Sequence, residues 1–281
     1  MKAVIDIGSN SVRLLLNGKK QVRTTALSKG LAISGALSPS AIKDTLSAVV
    51  ELYDIACSKD ARQVHVFATE AIRAAKNSAE FIDRLKDFGI SLEVLSAEQE
   101  AKIGFWGAYT KGKQAILDIG GASSELSCGC EKGILYWHSL AVGAQKLADN
   151  FSGNIRELSF YIKERIAEYG KVPTFDSLVA IGGTATTLVA IAESLEPYDA
   201  SVVQGYILQA KDILRITKEI FAMPLQARYN IKGLPAKKAT VIAPGGLLLY
   251  HIMEYLGAGQ CTVSEADNME GYLLLKAQTK I

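Results

Sequence analysis

The sequence predicts an α/β protein in which two similar lobes face each other across a cleft. Short runs rich in β-branched residues alternate with segments of helical periodicity, which is typical of sheets covered by helices. The strand and glycine turn of residues 3–9 recur at residues 115–121, an offset of 112 residues, with Asp6 and Asp118 in the same register. A duplication of this kind predicts two similar lobes, and a cleft between two lobes is a usual place for a ligand.

The chain length fits two modest domains, since 281 residues correspond to about two average domains. Lys111-Gly112-Lys113 stands just before the second copy of the repeat, where a hinge or loop is expected. We therefore predict a first lobe over residues 1–113 and a second lobe over residues 114–281.

Local signals define the individual elements. Strands are predicted where apolar runs end in turn residues, at residues 3–7, 12–16, 64–68, 92–95, 115–119, 125–128 and 178–181. A helix is expected to begin at Ser38-Pro39, because serine caps a helix and proline suits its first position. Another begins after Ser96, where Gln99 completes a capping box. The glycine turn at residues 243–246 opens a third, strongly apolar helix that we expect in the core.

Composition excludes several classes of protein. Lys+Arg 31 against Asp+Glu 29 gives a net charge of +2, so no global field points to nucleic acid or to a membrane surface. The apolar runs are much shorter than a membrane span, and the first residues do not resemble a signal peptide. Four cysteines are too few for a disulfide scaffold, which favours a reducing, cytoplasmic location. We expect neither nucleic acid nor a membrane as a partner.

Three glycine turns follow predicted strands and carry hydroxyl side chains. Glycine lets the backbone approach a phosphate group and present N–H donors, and the hydroxyls add short hydrogen bonds. None of the turns matches the Walker A pattern, which disfavours a P-loop NTPase. The candidate phosphate ligands in these turns are Gly8, Ser9, Asn10, Ser11, Gly120, Gly121, Ser123, Gly183 and Thr184.

Several carboxylates and one arginine stand beside these turns. Asp6 and Asp118 lie in apolar strands, where each either hydrogen-bonds its own turn or faces the cleft. In the cleft, these two aspartates and Glu125 would hold Mg²⁺ or Mn²⁺. Glu100 lies in the first turn of a helix, where acidic residues ordinarily complement the helix dipole, and the residues alone favour that interpretation. Arg73 is either a solvated helix residue or a phosphate clamp.

Taken together, these segments resemble the exopolyphosphatase/guanosine pentaphosphate phosphohydrolase family of the actin–Hsp70–sugar kinase superfamily. The matching segments follow one another in order along nearly the whole chain, at residues 6–11, 68–77, 96–101, 118–126, 182–184 and 244–245. The resemblance implies two ribonuclease-H-like lobes around an interdomain cleft. It also implies hydrolysis of a terminal phosphoanhydride in a small-molecule or polyphosphate substrate, either inorganic polyphosphate or pppGpp.

The resemblance further implies a role for each matching residue. Glu100 would be the base that activates water, so the favoured interpretation of this residue changes from structural to catalytic. Arg73 would clamp the phosphate under attack, Asp118 and Glu125 would hold Mg²⁺, and the first two glycine loops would bind phosphates. Glu98, two residues before the base, stays structural.

The chain also departs from the family pattern. Ala122 stands where the second loop usually has a third glycine, and Ala266 and Met269 replace a glycine and an arginine near the C-terminus. Ala26 replaces another arginine. The loss of two cationic contacts favours short polyphosphate chains over long ones. It also keeps open an alternative, a non-catalytic nucleotide- or phosphate-binding regulator, while a sugar or acid kinase of the same superfamily is a weaker one. A homodimer is one of the assemblies that the sequence leaves open.

Overall fold

The computed structural model describes residues 2–151 and 154–278, beginning with a lobe built on one mixed sheet. Its strands are β1 (Lys2–Ile7), β2 (Ser11–Leu16), β3 (Lys19–Thr24), β4 (Gln63–Ala68) and β5 (Glu93–Val94). Its helices are α1 (Leu31–Ser34), α2 (Pro39–Ser58), α3 (Glu70–Ala74), α4 (Ser78–Asp87) and α5 (Ala97–Ala108). The strand order is β3-β2-β1-β4-β5, in which β1, β2 and β3 are antiparallel and β4 and β5 run parallel to β1.

The second lobe repeats this arrangement. Its strands are β6 (Gln114–Ile119), β7 (Ser124–Cys130), β8 (Gly133–Leu140), β9 (Ser177–Ile181), β10 (Ile207–Gln209) and β11 (Gln260–Val263). Its helices are α6 (Ala144–Asn150), α7 (Ile155–Ile166), α8 (Gly182–Ala192), α9 (Ala200–Val203), α10 (Ala210–Ala222), α11 (Leu225–Arg228), α12 (Ile242–Leu256) and α13 (Asn268–Gln278). From one edge the sheet runs β8-β7-β6-β9-β11, the order of the first sheet, with β10 added antiparallel at the other edge. The prediction of two ribonuclease-H-like lobes is confirmed.

Local capping explains where the long helices begin. The Ser38 hydroxyl accepts a hydrogen bond from the backbone of Ala41, and the following proline opens α2, as predicted. At the start of α5, Ser96 and Gln99 form the predicted capping box. The cap fixes the first turn of α5, and this turn carries Glu100.

The apolar helix α12 begins earlier than its sequence predicts. We expected a turn at residues 243–246, but this segment lies inside the first two turns of the helix. Pro244 is tolerated there because the first N–H groups of a helix have no intrahelical partner. The inward face of α12 is part of the second core. Nowhere in the described part of the chain is a helix both long enough and apolar enough to cross a membrane.

Two helices lie between the sheets and join the lobes. α5 packs against β7 and β8 of the second sheet, although it precedes the predicted boundary after residue 113. α13 returns to the first sheet, where Tyr272 stacks on Phe67 with ring centroids 4.8 Å apart. Met269, which stands where the family usually has arginine, is fully buried in this apolar contact. The two chain crossings, before β6 and before α13, therefore connect lobes that share a packed interface.

Candidate active site

The first two glycine loops contact each other across the interface of the lobes. In both loops, residues 8–11 and 120–123, the N–H of the first residue donates to the carbonyl oxygen of the last at 3.0 Å. Because each loop has the equivalent internal hydrogen bond, the repeat extends to the conformation of the turn. A Cβ atom added at Gly121 would lie 2.8 Å from Cβ of Ser9, so the lobes place the two loops face to face.

Polar side chains around the first loop lack partners. Among the described residues, Asn10 Oδ1 and the hydroxyls of Thr25 and Ser28 are buried and accept or donate no hydrogen bond. Buried polar atoms are normally paired, so the hydroxyls of Thr25 and Ser28 remain available as donors to a ligand or to water. The arrangement fits a phosphate-binding role for the first loop.

A small cavity lies beside the second loop, between the lobes. Its volume is about 180 Å³, and Ala122, the residue that replaces the third glycine of the loop, is part of its wall. The other lining residues are Ser28, Leu31, Ala32, Glu70 and Ala74 from the first lobe and Lys146 from the second. Both lobes therefore form the predicted cleft.

An arginine neutralises the aspartate of the first lobe. Asp6 lies opposite Arg13 on the antiparallel strands β1 and β2, and its carboxylate accepts hydrogen bonds from Nε, at 3.1 Å, and from Nη2. Nη1 of Arg13 donates to Asp267, which also pairs with Lys20 at 3.1 Å. The predicted metal role of Asp6 does not fit this arrangement, because its carboxylate already has a cationic partner.

The second lobe places two carboxylates at the equivalent positions. Asp118 lies opposite Glu125 on β6 and β7, where Glu125 occupies the register position that Arg13 has in the first lobe. Side chains directly opposite on antiparallel strands lie on the same face of the sheet. Asn268 Nδ2 donates to Asp118 Oδ2 at 3.0 Å, and Ser139 Oγ donates to Glu125 Oε1 at 2.6 Å.

Burial and mutual repulsion raise the pKa values of these carboxyl groups. Burial raises the pKa of Asp118 to about 6, while the charge of Arg13 opposes this shift. Burial and then the charge of Asp118 raise the pKa of Glu125 to about 7. The pKa of Glu100 lies well above its ordinary value, chiefly because of burial and the charge of Glu125, with Arg73 acting in the opposite direction. The three carboxyl groups therefore form one acidic cluster.

Arg73 holds the carboxylate of Glu100. Its Nη2 donates to Glu100 Oε2 at 3.0 Å and to Glu70 Oε2 at 2.6 Å, and its Nε donates to the same Glu70 oxygen at 3.0 Å. Nη1 donates to the carbonyl oxygen of Leu95. Glu100 is only 6% exposed, so it is not one of the solvated acidic residues that merely complement a helix dipole. In contrast, Glu98 in the same turn is exposed and pairs with Lys102.

The third glycine turn supports Asp118 directly. Gly182 has φ +82°, and a Cβ atom added there would lie 2.3 Å from Asp118 Oδ1. Both the backbone conformation and the close approach require glycine at this position. Gly182 thus leaves space for the Asp118 carboxylate beside the first turn of α8.

The next residues of that turn have their own partners. The hydroxyl of Thr184 donates to the carbonyl oxygen of Ile119 at 3.2 Å, which joins α8 to the end of β6. Lys238 Nζ donates to the carbonyl oxygen of Gly183 at 2.9 Å and to the hydroxyl of Thr187 at 2.8 Å. Burial lowers the pKa of Lys238 to about 8. The turn thus gains a cation that lies outside the predicted motifs, and the phosphate roles of Gly183 and Thr184 stay predictions.

The donor set of the acidic cluster suits a hard divalent cation. Mg²⁺ is commonly held by one or two carboxylates together with water and substrate phosphates. Asp118 and Glu125 supply such a pair, and burial raises the pKa of both, to about 6 and about 7. Within residues 2–151 and 154–278, no set of three or more His, Cys, Asp or Glu side chains is arranged as a metal cage. Two protein ligands, not the three predicted, therefore fit the ion.

Three side chains, Arg13, Asn268 and Lys238, were not among the predicted site residues. Extending the repeat along the second strand would have aligned Arg13 with Glu125, at the same offset of 112 residues that relates Asp6 to Asp118. Asn268 gives no local signal, because it reaches Asp118 from 150 residues away. Lys238 belongs to a short lysine pair whose proximity to the third turn only the fold determines.

A cleft with facing glycine loops and an acidic cluster, between two ribonuclease-H-like lobes, is suited to the handling of phosphate groups. The chain belongs to the Ppx/GppA phosphatase family, whose model matches residues 3–280. It is 26% identical over 310 residues to exopolyphosphatase 2 of Mycobacterium tuberculosis, with 97% of each protein covered.

Other relatives extend the comparison. The chain is 28% identical over 318 residues to a bifunctional 3-dehydroquinate synthase/phosphatase of Fusobacterium nucleatum, where it spans 47% of that longer protein. It also resembles the crystal structure of a Ppx/GppA family member from Aquifex aeolicus, with a TM-score of 0.80, 27% identity and coverage of 99% of this chain and 98% of that one. The likeness therefore includes both lobes.

Proposed function

We propose that the chain hydrolyses a terminal phosphoanhydride bond and releases orthophosphate, from inorganic polyphosphate or from pppGpp. The observation that carries this proposal is the buried Glu100 carboxylate, held by Arg73 in one acidic cluster with Asp118 and Glu125. The family name and the exopolyphosphatase from M. tuberculosis support this type of substrate. The base, the arginine and the acidic pair are all present, which argues against the non-catalytic alternative.

The glycine loops are the proposed phosphate ligands. The two loops lie face to face, since a Cβ atom added at Gly121 would lie 2.8 Å from Cβ of Ser9, and this placement supports a joint role for them in binding one phosphate chain. In phosphoryl transfer, the protein acts mainly by positioning the groups and by stabilising charge. We assign these two tasks to the loops and to the surrounding cations, including Lys146 at the cavity and Lys238 at the third turn.

Glu100 is the proposed general base. Its carboxylate would accept a proton from water as the water oxygen attacks the terminal phosphorus, while the bond to the bridging oxygen breaks and the shortened chain leaves. A base is most effective when its pKa lies near the working pH, and the raised pKa of Glu100 has this direction. Arg73 keeps the carboxylate oriented during the step.

Asp118 and Glu125 are the proposed protein ligands of Mg²⁺ or Mn²⁺. When bound, the ion would neutralise charge on the phosphate oxygens. Asn268 and Ser139 hold one oxygen of each carboxylate by hydrogen bonds, and Gly182 leaves room for Asp118. These contacts orient the two carboxylates toward a shared ligand.

A short substrate is favoured by the charges at the site. Ala26 and Met269 supply no cation, and the side chain of Met269 is buried in the core between the lobes. Lys237 and Lys238 already donate to the backbone at Thr24 and Gly183. These two lysines are therefore less available to the distant phosphates of a long polymer.

The four cysteines agree with the proposed cytoplasmic location. All of them are free thiols: Cys57, Cys128, Cys130 and Cys261. Cys128 and Cys130 lie at alternate positions of β7, as predicted from the sequence. Free thiols persist in a reducing compartment.

A substrate panel tests the proposed function. Orthophosphate release is measured from tripolyphosphate, long polyphosphate, pppGpp and ATP, each with Mg²⁺ and again after chelation. We expect Mg²⁺-dependent release from tripolyphosphate or pppGpp and little from ATP, with the Glu100→Gln variant as the control for contaminating phosphatase. The absence of release from every substrate would refute the proposal.

A further inference from the structure

Arg73 is surrounded by protein acceptors. Arginine has five N–H donors, and four of them are used by the contacts to Glu70, Glu100 and the Leu95 carbonyl oxygen. The two donors that form its lateral fork, Nε–H and one Nη2–H, both end on Glu70 Oε2. That fork is the geometry with which arginine binds a phosphate in bidentate fashion. In this structure the fork is occupied by a carboxylate.

The charge of Arg73 is also engaged by neighbouring protein groups. The guanidinium forms ion pairs with both Glu70 and Glu100, so its positive charge is already engaged by protein carboxyl groups. This engagement weakens the attraction of Arg73 for a phosphate. The Arg73 contact that bears on the proposed reaction is the hydrogen bond from Nη2 to Glu100, the proposed base.

Glu70 determines which way the guanidinium points. It lies at the start of α3, three residues before Arg73, so the two side chains lie on the same side of one helical turn. With the fork fixed by Glu70, the other Nη2–H and Nη1–H reach Glu100 and Leu95, which belong to the segment that leads into and begins α5. Without Glu70, the fork would be free to rotate away from Glu100.

We propose that Glu70 is a positioning residue that locks Arg73 against the Glu100 carboxylate, so that Arg73 serves the catalytic base and is not the main phosphate ligand. The proposal rests on the hydrolase function proposed above for its kinetic consequence. The lock itself is a property of the folded chain and is testable without any substrate.

The kinetic test uses Glu70→Gln, which keeps the size of the side chain but removes its charge. We expect kcat to fall on the order of 10-fold and KM to change by less than about 2-fold, because base geometry is disturbed and the phosphate ligands are not. Arg73→Ala should show the same division between kcat and KM. Adding Glu70→Gln to Arg73→Ala should have no further effect, because the two residues act as one unit.

Glu80→Gln is the matched control. Glu80 pairs with Arg84 within the next helix, both side chains are exposed, and neither residue is assigned to the site. This variant should leave kcat and KM unchanged. A large increase in KM with intact kcat in Arg73→Ala would overturn the proposal, since it would identify Arg73 as a phosphate ligand.

A second measurement keeps the proposal separate from the hydrolase assignment. The Nε–H signal of Arg73 is observed by ¹⁵N NMR and assigned by its loss in Arg73→Lys. We expect slow exchange of this hydrogen with water in the wild type and rapid exchange in Glu70→Gln. Equal exchange in both would refute the lock. If the lock is present but the wild type hydrolyses nothing, the proposed hydrolase function fails while the role of Glu70 in orienting Arg73 stands.

Discussion

Glu125 lies directly opposite Asp118 on neighbouring antiparallel strands, and both side chains are acidic, with Glu125 buried and Asp118 half-buried. At the equivalent position of the first lobe, Arg13 lies opposite Asp6 and neutralises it. The duplicated strand pair thus has a balanced charge in one lobe and an excess of negative charge in the other. This difference in charge distinguishes two strand pairs that otherwise share the same register.

The acidic pair predicts a pH-dependent cost of folding. The pKa values of Asp118 and Glu125 rise in the folded state to about 6 and about 7, from ordinary values of 3.8 and 4.5. Their contribution to stability is therefore greatest below pH 4 and is lost as the pH rises through 6 and 7, by an amount on the order of a few kcal/mol. Glu125→Gln should be more stable than the wild type at pH 8 and similar to it at pH 5, as measured by thermal unfolding without metal.

The same pair predicts when Mg²⁺ stabilises the fold. Because ligand carboxylates must be deprotonated, Mg²⁺ should raise the melting temperature of the wild type more at pH 8 than at pH 5. Glu125→Gln should lose most of this effect, whereas Glu98→Gln, an exposed neighbour of the site, should retain it. Equal stabilisation of all three proteins at both pH values would contradict the assignment of the metal ligands.

Gly182 and Gly205 form a matched pair of glycines with left-handed backbone conformations. Gly182 and Gly205 have φ +82° and φ +80°, but only at Gly182 would an added Cβ atom meet Asp118. The left-handed backbone should cost each alanine variant roughly 1 kcal/mol of stability, and Gly182→Ala should cost more because its Cβ atom meets Asp118. Only Gly182→Ala should also increase the Mg²⁺ concentration needed for hydrolysis, because it displaces the Asp118 carboxylate. Equal Mg²⁺ dependence of the two variants would separate Asp118 from metal binding.

Loss of the Asn268 side chain should also weaken metal binding through the Asp118 carboxylate. Its amide donates to Asp118 and lowers the pKa of that carboxyl group. Asn268→Ala should therefore raise the pKa of Asp118 and weaken Mg²⁺ activation on the order of 10-fold, as loss of a supporting hydrogen bond does in other metal sites. The measurement is hydrolysis as a function of Mg²⁺ concentration at pH 6 and pH 8, and the loss should be larger at pH 6. A loss that is the same at both pH values would contradict this role.

Salt should weaken substrate binding only moderately. The net charge is +2, and the ammonium groups of Lys237 and Lys238 already donate to backbone carbonyl oxygens at 2.7 Å and 2.9 Å. Exposed charges are screened over about 8 Å at physiological ionic strength. Binding of tripolyphosphate and of long polyphosphate should decrease by a similar, small factor between low and physiological salt. A decrease of several orders of magnitude for the long polymer alone would indicate a basic track that this account lacks.

The repeat was the sequence feature that predicted most of the fold. Residues 3–9 and 115–121 share strand, turn and aspartate, and hydrophobic patterning of this kind is strong where strands are buried on both faces. β3 was not predicted, because Lys19–Thr24 is an edge strand with polar, exposed positions. The packing of α5 on the second sheet and of α13 on the first could not be predicted either, because it depends on contacts between residues far apart in the chain.

The site was predictable only where its residues stand within motifs. Glu100 and Arg73 were found in two separate motifs, and the structure joins them at 3.0 Å. The engagement of Asp6 by Arg13 was missed, because the position of Asp6 in the repeat suggested the same role as that of Asp118. Glu70 stood inside a recognised motif, but its effect on Arg73 follows from the orientation of a side chain, which a motif does not encode.

The most direct test of this account is the Glu100→Gln variant, compared with Glu98→Gln. Glutamine keeps the shape of the side chain but cannot accept a proton from the attacking water, so turnover should fall on the order of 10²–10⁴-fold while substrate binding is nearly unchanged. Glu98 is exposed and pairs with Lys102 in the same helix, so Glu98→Gln should leave turnover intact. Single-turnover hydrolysis and equilibrium binding of tripolyphosphate, measured on both variants, separate the two effects. Unchanged turnover in Glu100→Gln, or equal losses in both variants, would contradict the assignment of Glu100 as the base.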